Sequence, residues 1–510
     1  MDSLVKPRTA VAIGDSQSGP ARATAPIPGA QQGVSAIEID RSCRGPLLLL
    51  LTAGLGWLVV GVALMLIASI KLHGPRFLPG TAWLTYGRVA PAGLNAVVYG
   101  FACPVAVGLV LWLSSRLGRV RLAGRNAVLV GVVGWNLGVL LGVAGILAGH
   151  STGFSWLEMP GWVGPILLLS LTLMAVGWPA TVAARAERAL YVSDWFGVAV
   201  LLGLLWAWAG AQWFLAHRPV RGVVQSVVTA WYRGVLLEVC LGAGGLAALF
   251  YFVPKLAGHP LHSRSLAALS FWVLVLVGGW TGCVHLLGGP VPAWMISVGT
   301  VAMGLLLANV VAVGLNAWRT VSQPGQPIRW PGLGLGYMAL SVGCYVLAGI
   351  EGAVLANRSV SALTRFTHLE TARLWLMLLG FFGMAALGAV HELVPRLAER
   401  PWPRPGLARA HFWGTAAGLG LIWLGLTTAG LVQGIKLLDA RVPVTAALRA
   451  TVPCVGVATL GWLAVLLAQV ALLINLGTLL VSLTAPIWQA VQGLVQPAER
   501  TAPPSPEAKA

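Results

Sequence analysis

Twelve apolar stretches of 18 or more residues follow one another from Pro46 to about Leu483, and they decide the solvent in which this chain folds. At 1.5 Å per residue, each is long enough to cross a hydrocarbon core about 30 Å thick. The pattern predicts helices over 46–70, 89–114, 125–148, 163–182, 195–216 and 227–254, then over 266–287, 293–314, 331–356, 371–395, 411–434 and 450–483. The last is long enough to tilt or to continue as an interfacial helix. Hydrophobic residues make up 57% of the chain and charged ones 9%, a balance that soluble domains of this length do not sustain. The expected fold class is therefore all-α, a polytopic membrane helix bundle of about twelve transmembrane helices. It occupies residues 45–483, between a disordered N-terminal segment (1–44) and a C-terminal tail (484–510). The loops leave no room for a separate catalytic domain.

A net charge of +18 invites a nucleic-acid reading, but the basic residues are scattered through short loops rather than gathered in a patch. They report topology instead. With the N-terminus inside, 21 of the 33 Lys and Arg fall on that side and 12 on the other. Arg116, Arg119, Arg121 and Arg125 follow the second span, and Arg396, Arg400, Arg404 and Arg409 the tenth. The positive-inside rule then places both termini in the cytoplasm of a bacterial inner membrane. Six cysteines without a CxxC or CxxCH pair suggest no disulfide framework, zinc knuckle or covalent c-type haem. Residues 1–44, rich in Ala, Gly, Pro and Ser, read as a cytoplasmic lead rather than a cleaved signal peptide. Abundant Gly and Ala within the spans predict close helix packing.

Short pieces in a fixed order carry a family likeness. They begin with Trp83-Leu84-Thr85-Tyr86-Gly87-Arg88, Pro91 and Asn95-Ala96-Val97, and continue with Tyr191-Val192-Ser193-Asp194-Trp195-Phe196, Trp231-Tyr232 and Tyr251-Phe252-Val253-Pro254-Lys255. Then come Phe271-Trp272, Trp280-Thr281-Gly282, Ile350-Glu351-Gly352, Val394-Pro395-Arg396, His411-Phe412-Trp413 and Ala429-Gly430-Leu431-Val432-Gln433-Gly434. In this order and spacing, from about Phe77 to Leu483, the chain resembles heme–copper oxidase subunit I of the cbb3-type branch.

The resemblance implies two b-type haems and a copper held by six histidines, because these metals take imidazole nitrogens projecting into the bundle. Laid on this sequence without gaps, the ligand positions fall on Gly93, Gly234, Val284, His285, Arg373 and Trp375, and the cross-linked tyrosine falls on Gly278. Only His285 can coordinate a metal; glycine, valine and tryptophan offer no donor, and arginine stays protonated. The remaining eight histidines lie in loops or towards span ends, with His391 and His411 near the cytoplasmic ends of the tenth and eleventh helices. His285 reads as a structural histidine inside the bundle, the alternative being a metal role. The expectation is a chain without haem, copper or catalytic residues.

A haem-sized hole of several hundred Å³, left empty, would cost on the order of 10 kcal/mol at ~24 cal/mol per Å³. Such a bundle collapses, fills the hole with side chains or binds something else, and Trp375 is the obvious filler. Glu238, one turn beyond Gly234, and Arg373 are expected to form a polar network across the cavity with Arg233 and Glu351. The alternative is that Arg233 and Arg373 snorkel to the interface while Glu238 protonates. Glu351 and Tyr345 match family positions in polar elements, Glu158 keeps part of an acidic loop, and Arg88 matches a family arginine.

Three functions compete. The chain is a cofactor-free accessory or structural subunit of a respiratory-type membrane complex, partnered by the bilayer and by other membrane subunits, haem-containing ones or an active oxidase paralogue among them. It is a haem-containing terminal oxidase or nitric oxide reductase subunit I. Or it is a transporter or small-molecule binder that uses the vacated cavity.

Overall fold

The computed structural model describes residues 34–187, 189–322 and 332–495, with side chains up to residue 483. The lead up to residue 33, the loop from Gln323 to Pro327 and the tail from residue 496 lie outside the described residues. Among the described residues, twelve helices are long and apolar enough to cross a membrane. The first six are α1 (Ala36–His73), α2 (Tyr86–Gly118), α3 (Arg125–Ala148), α4 (Val163–Ala183), α5 (Val192–His217) and α6 (Val223–Ala257). The second six are α7 (Arg264–Leu286), α8 (Ala293–Val321), α9 (Leu333–Leu355), α10 (His368–Ala398), α11 (Pro405–Leu438) and α12 (Val444–Leu483). A helix satisfies its own amides and carbonyls, which is what hydrocarbon demands of a spanning segment.

Both ends differ from expectation. Ser35 Oγ accepts from Glu38 N at 3.4 Å while the Glu38 carboxylate accepts from Ser35 N at 3.3 Å, a capping box that starts α1 at Ala36. Residues 36–44 are thus helical rather than a disordered lead, and Arg41 pairs with Glu399 at 2.9 Å to tie them to the α10–α11 loop. At the other end the last helix runs on to Val495, so the first part of the tail is helical too. Hydropathy marks where a helix meets lipid; caps mark where it begins and ends.

The most apolar stretches of α2, α6 and α10 are 100%, 94% and 94% buried, against 50% or less for every other span, so these three form the centre. Small residues let them approach. A Cβ on Gly245 of α6 would lie 2.6 Å from the Phe381 ring of α10, and one on Gly100 of α2 would lie 2.5 Å from Trp57 of α1. Each central helix also carries a π-helical turn, at Ala96–Ala102, Val235–Leu241 and Leu376–Gly383. Such bulges cluster at functional sites, and here each begins within three residues of Gly93, Gly234 or Trp375.

Candidate functional site

The π-turn of α6 carries Glu238 into the middle of the bundle, and the residues just before the π-turn of α10 present Arg373 to it. Arg373 Nη2 donates to Glu238 Oε1 at 2.8 Å, and both side chains are more than nine-tenths buried. The guanidinium is held from two further directions: its Nε donates to Ala348 O at 3.1 Å, and Nη2 lies 3.6 Å from Met303 Sδ. Gly352 makes room for it, since a Cβ there would sit 2.6 Å from Arg373 Nε. Two charges in so dry a place persist only when paired and hydrogen-bonded.

The other positions singled out from the sequence are filled by packing. A Cβ on Gly93 would stand 3.0 Å from Met65 Sδ, and one on Gly234 would stand 2.7 Å from the backbone nitrogen of Gly282. Trp375 is buried edge-on against Trp462, ring centroids 4.7 Å apart. Val284 is buried, and a Cβ on Gly278 would meet Val239 at 3.0 Å. His285 sits beside Glu370. Its Nδ1 has no hydrogen-bond partner and lies 3.7 Å from Glu370 Oε2, while its carbonyl accepts from Arg365 Nη2. Burial pulls the Arg365 pKa below its ordinary value, and neighbouring Glu370, 3.2 Å away, opposes that shift.

Arg233 lines the same cavity as His285, Glu370 and Arg373. Glu351 makes no hydrogen bond or ion pair to this group among the described residues, though its carboxylate is within electrostatic reach of Arg373. Its Oε2 accepts from Trp423 Nε1 at 3.2 Å and its Oε1 has no partner among those residues. Sequence position put Glu351 beside Arg373, but its side chain leaves α9 towards α11. Tyr345 donates to Asn309 Oδ1 at 2.7 Å. Arg88 donates to Leu147 O at 3.1 Å, and the Glu158 carboxylate accepts from Asn95 Nδ2 at 2.7 Å and Trp156 N at 3.0 Å.

A second polar cluster was not foreseen. Tyr337 of α9, His391 of α10 and His411 of α11 meet in the core, with Tyr337 Oη 3.1 Å from His391 Nε2 and 2.6 Å from His411 Nδ1. The two ring nitrogens are 3.2 Å apart. His411 Nε2 lies 3.1 Å from Gln469 Oε1, whose amide donates to Thr415 Oγ1, so α12 is joined as well. Along α10 this cluster stands about 27 Å from Arg373, at 1.5 Å per residue. The signal was present in the sequence: polar side chains within apolar spans face the interior and pair.

The family model for Cytochrome C and Quinol oxidase polypeptide I matches residues 46–489. A cytochrome c oxidase subunit 1 homolog of Azorhizobium caulinodans is 27% identical over 395 residues, covering 74% of this chain and 70% of that one. A cbb3-type cytochrome c oxidase subunit of Stutzerimonas stutzeri is 26% identical, covering 74% of this chain and 81% of its own. Among solved structures, a heme-copper terminal oxidase dimer shares the fold with a TM-score of 0.68 at 14% identity, over 87% of this chain and 84% of that one.

The expectation of a chain without haem or copper is corrected by this kinship, since these are the metals of the family, and by the histidine cluster that the sequence reading passed over. The fit differs between two places. His391 Nε2, His411 Nδ1 and Tyr337 Oη lie within hydrogen-bonding distance of one another, 2.6 to 3.2 Å apart, and bring two imidazole nitrogens and a phenol oxygen to one place. Imidazole nitrogens suit copper. The positions Gly93, Gly234, Val284, Arg373 and Trp375 form no such donor set, and His285 stands alone among them. With a family match over most of its length and the twelve-helix fold to go with it, the chain belongs to the cytochrome c and quinol oxidase polypeptide I family.

Proposed function

We propose that this protein is a non-catalytic structural or accessory subunit of a respiratory-type complex, a cbb3-like subunit I in the bacterial inner membrane with both termini in the cytoplasm. In this reading Gly93, Gly234, Val284, His285, Arg373 and Trp375 are former ligand positions, and Gly278 is the position of a former cross-linked tyrosine. The observation that carries it is the Arg373–Glu238 pair, which sets a buried salt bridge where the resemblance puts a ligand-bearing helix. A guanidinium has no lone pair for a metal, and its pairing with Glu238 gives the centre a structural use in place of a chemical one. Other membrane subunits, haem-containing ones or an oxidase paralogue among them, are the partners this role calls for. Outward apolar grooves, such as the one of about 680 Å³ lined by Val310, Trp318 and Met338, offer surface to lipid or to such subunits. The test is purification from native membranes, identification of the co-purifying subunits, and oxygen uptake with reduced cytochrome c or quinol. Uptake is expected only where a partner is present; steady uptake by the chain alone would overturn the reading.

A second reading, in which the chain is itself redox-active, is favoured by the His391–His411–Tyr337 cluster. Metal analysis of the purified protein decides it. About one copper per chain, lost in a His391→Ala/His411→Ala double variant, supports this reading. Equal copper content in both proteins ends it.

A further inference from the structure

Where α6, α7, α8 and α10 meet, Arg233, His285, Arg365, Glu370 and Arg373 line one small cavity of about 30 Å³. Its charges do not balance. Glu238 neutralises Arg373 at 2.8 Å and Glu370 neutralises Arg365 at 3.2 Å. Arg233 has no ion pair among the described residues. Its Nε is shielded from solvent without a hydrogen-bond partner, and its guanidinium carbon lies 5.8 Å from the centre of the Trp156 ring.

The unmet donors converge on the same place. Among the described residues, three buried side-chain nitrogens lack a hydrogen-bond partner: Nε of Arg233, Nε of Arg365 and Nδ1 of His285. All three residues line this cavity. Arg233 is part-buried as a residue, with its Nε fully shielded. An arginine keeps its charge there, and a shielded charge without a counter-charge is costly. Three cations against two carboxylates leave one positive charge over, even with His285 neutral. Water can occupy the N–H groups but cannot supply the missing charge.

Size narrows the ligand. A buried water takes roughly 10–15 Å³ on this measure, so the cavity excludes haem, quinone and any organic acid beyond the smallest. We propose that it binds one small monovalent inorganic anion of chloride size, held by Arg233 with Arg365 and His285. The site goes beyond the accessory role and stands whether or not the bundle is catalytic.

The experiment uses the full-length protein in detergent, exchanged into gluconate at constant ionic strength. Gluconate is too large to enter. Chloride and bromide are then titrated while thermal unfolding is followed. A saturable rise in Tm with either halide is expected, absent with gluconate and abolished in Arg233→Gln. Arg41→Gln, which removes an exposed ion pair elsewhere, retains the rise. Should Arg233→Gln fail to fold, anomalous scattering from bromide-soaked wild-type crystals gives the independent reading, a bromide beside Arg233. Identical unfolding in halide and gluconate, an equal response in wild type and Arg233→Gln, or water alone in the cavity would overturn the proposal.

Discussion

Arg373 of α10 and Glu238 of α6 meet head to head at 2.8 Å, 135 residues apart in sequence and within the two most buried helices after α2. Removing one partner leaves the other charged and dry. Glu238→Gln or Arg373→Met is expected to cost about 3–5 kcal/mol, whereas Glu238→Leu with Arg373→Met restores most of the loss. Unfolding of the three variants in one detergent checks this, and a double variant no better than either single one would contradict it.

Trp375 fills the bundle beside Trp462. Trp375→Ala opens a void that the helices close only in part, at about 3–5 kcal/mol. Trp375→Phe keeps most of the volume and should lose less than half of that. The comparison is a pair of thermal melts.

Gly100 of α2 faces the side chain of Trp57, where an added Cβ would lie 2.5 Å from Trp57 Cβ and Cγ. Gly100→Ala must push α1 outward, at about 1–3 kcal/mol. Trp57→Ala with Gly100→Ala relieves the crowding, so the double variant should melt above the value expected from adding the two single effects.

Glu158 lies in the loop between α3 and α4, where burial raises its pKa above the ordinary 4.5. An acid whose folded pKa exceeds its unfolded one penalises the fold once it ionises. Relative to Glu158→Gln, the wild type should therefore be most stable below pH 4.5 and lose ground as pH rises through the raised pKa. Melting curves of the two proteins from pH 4 to pH 8 read the sign directly; a difference that grows in favour of wild type with rising pH would refute it.

Tyr337 Oη touches both His391 and His411. Tyr337→Phe leaves two buried imidazoles without the phenol, at about 1–3 kcal/mol. His411→Gln, which keeps a polar group towards Gln469, should cost less than His411→Leu. Thermal unfolding ranks the three.

Composition and the run of apolar stretches were enough to set the class of fold, because only helices or closed barrels satisfy a backbone in hydrocarbon and twelve such lengths leave little choice. The ordered pieces from Trp83 to Gly434 were enough to show the family. Helix ends were less legible. The capping box at Ser35 and Glu38 starts α1 ten residues before its hydrophobic stretch, since a cap is made by local hydrogen bonds that hydropathy does not register. Which polar side chains meet was decided in three dimensions alone. Glu238 finds Arg373, while Glu351, also in an apolar span, turns to Trp423; Tyr337, His391 and His411 assemble from three helices without any shared motif. A helix's period says which residues share its face, but the partner across the interface depends on how neighbouring helices rotate and slide, and that is set by the packing of glycines against rings throughout the bundle.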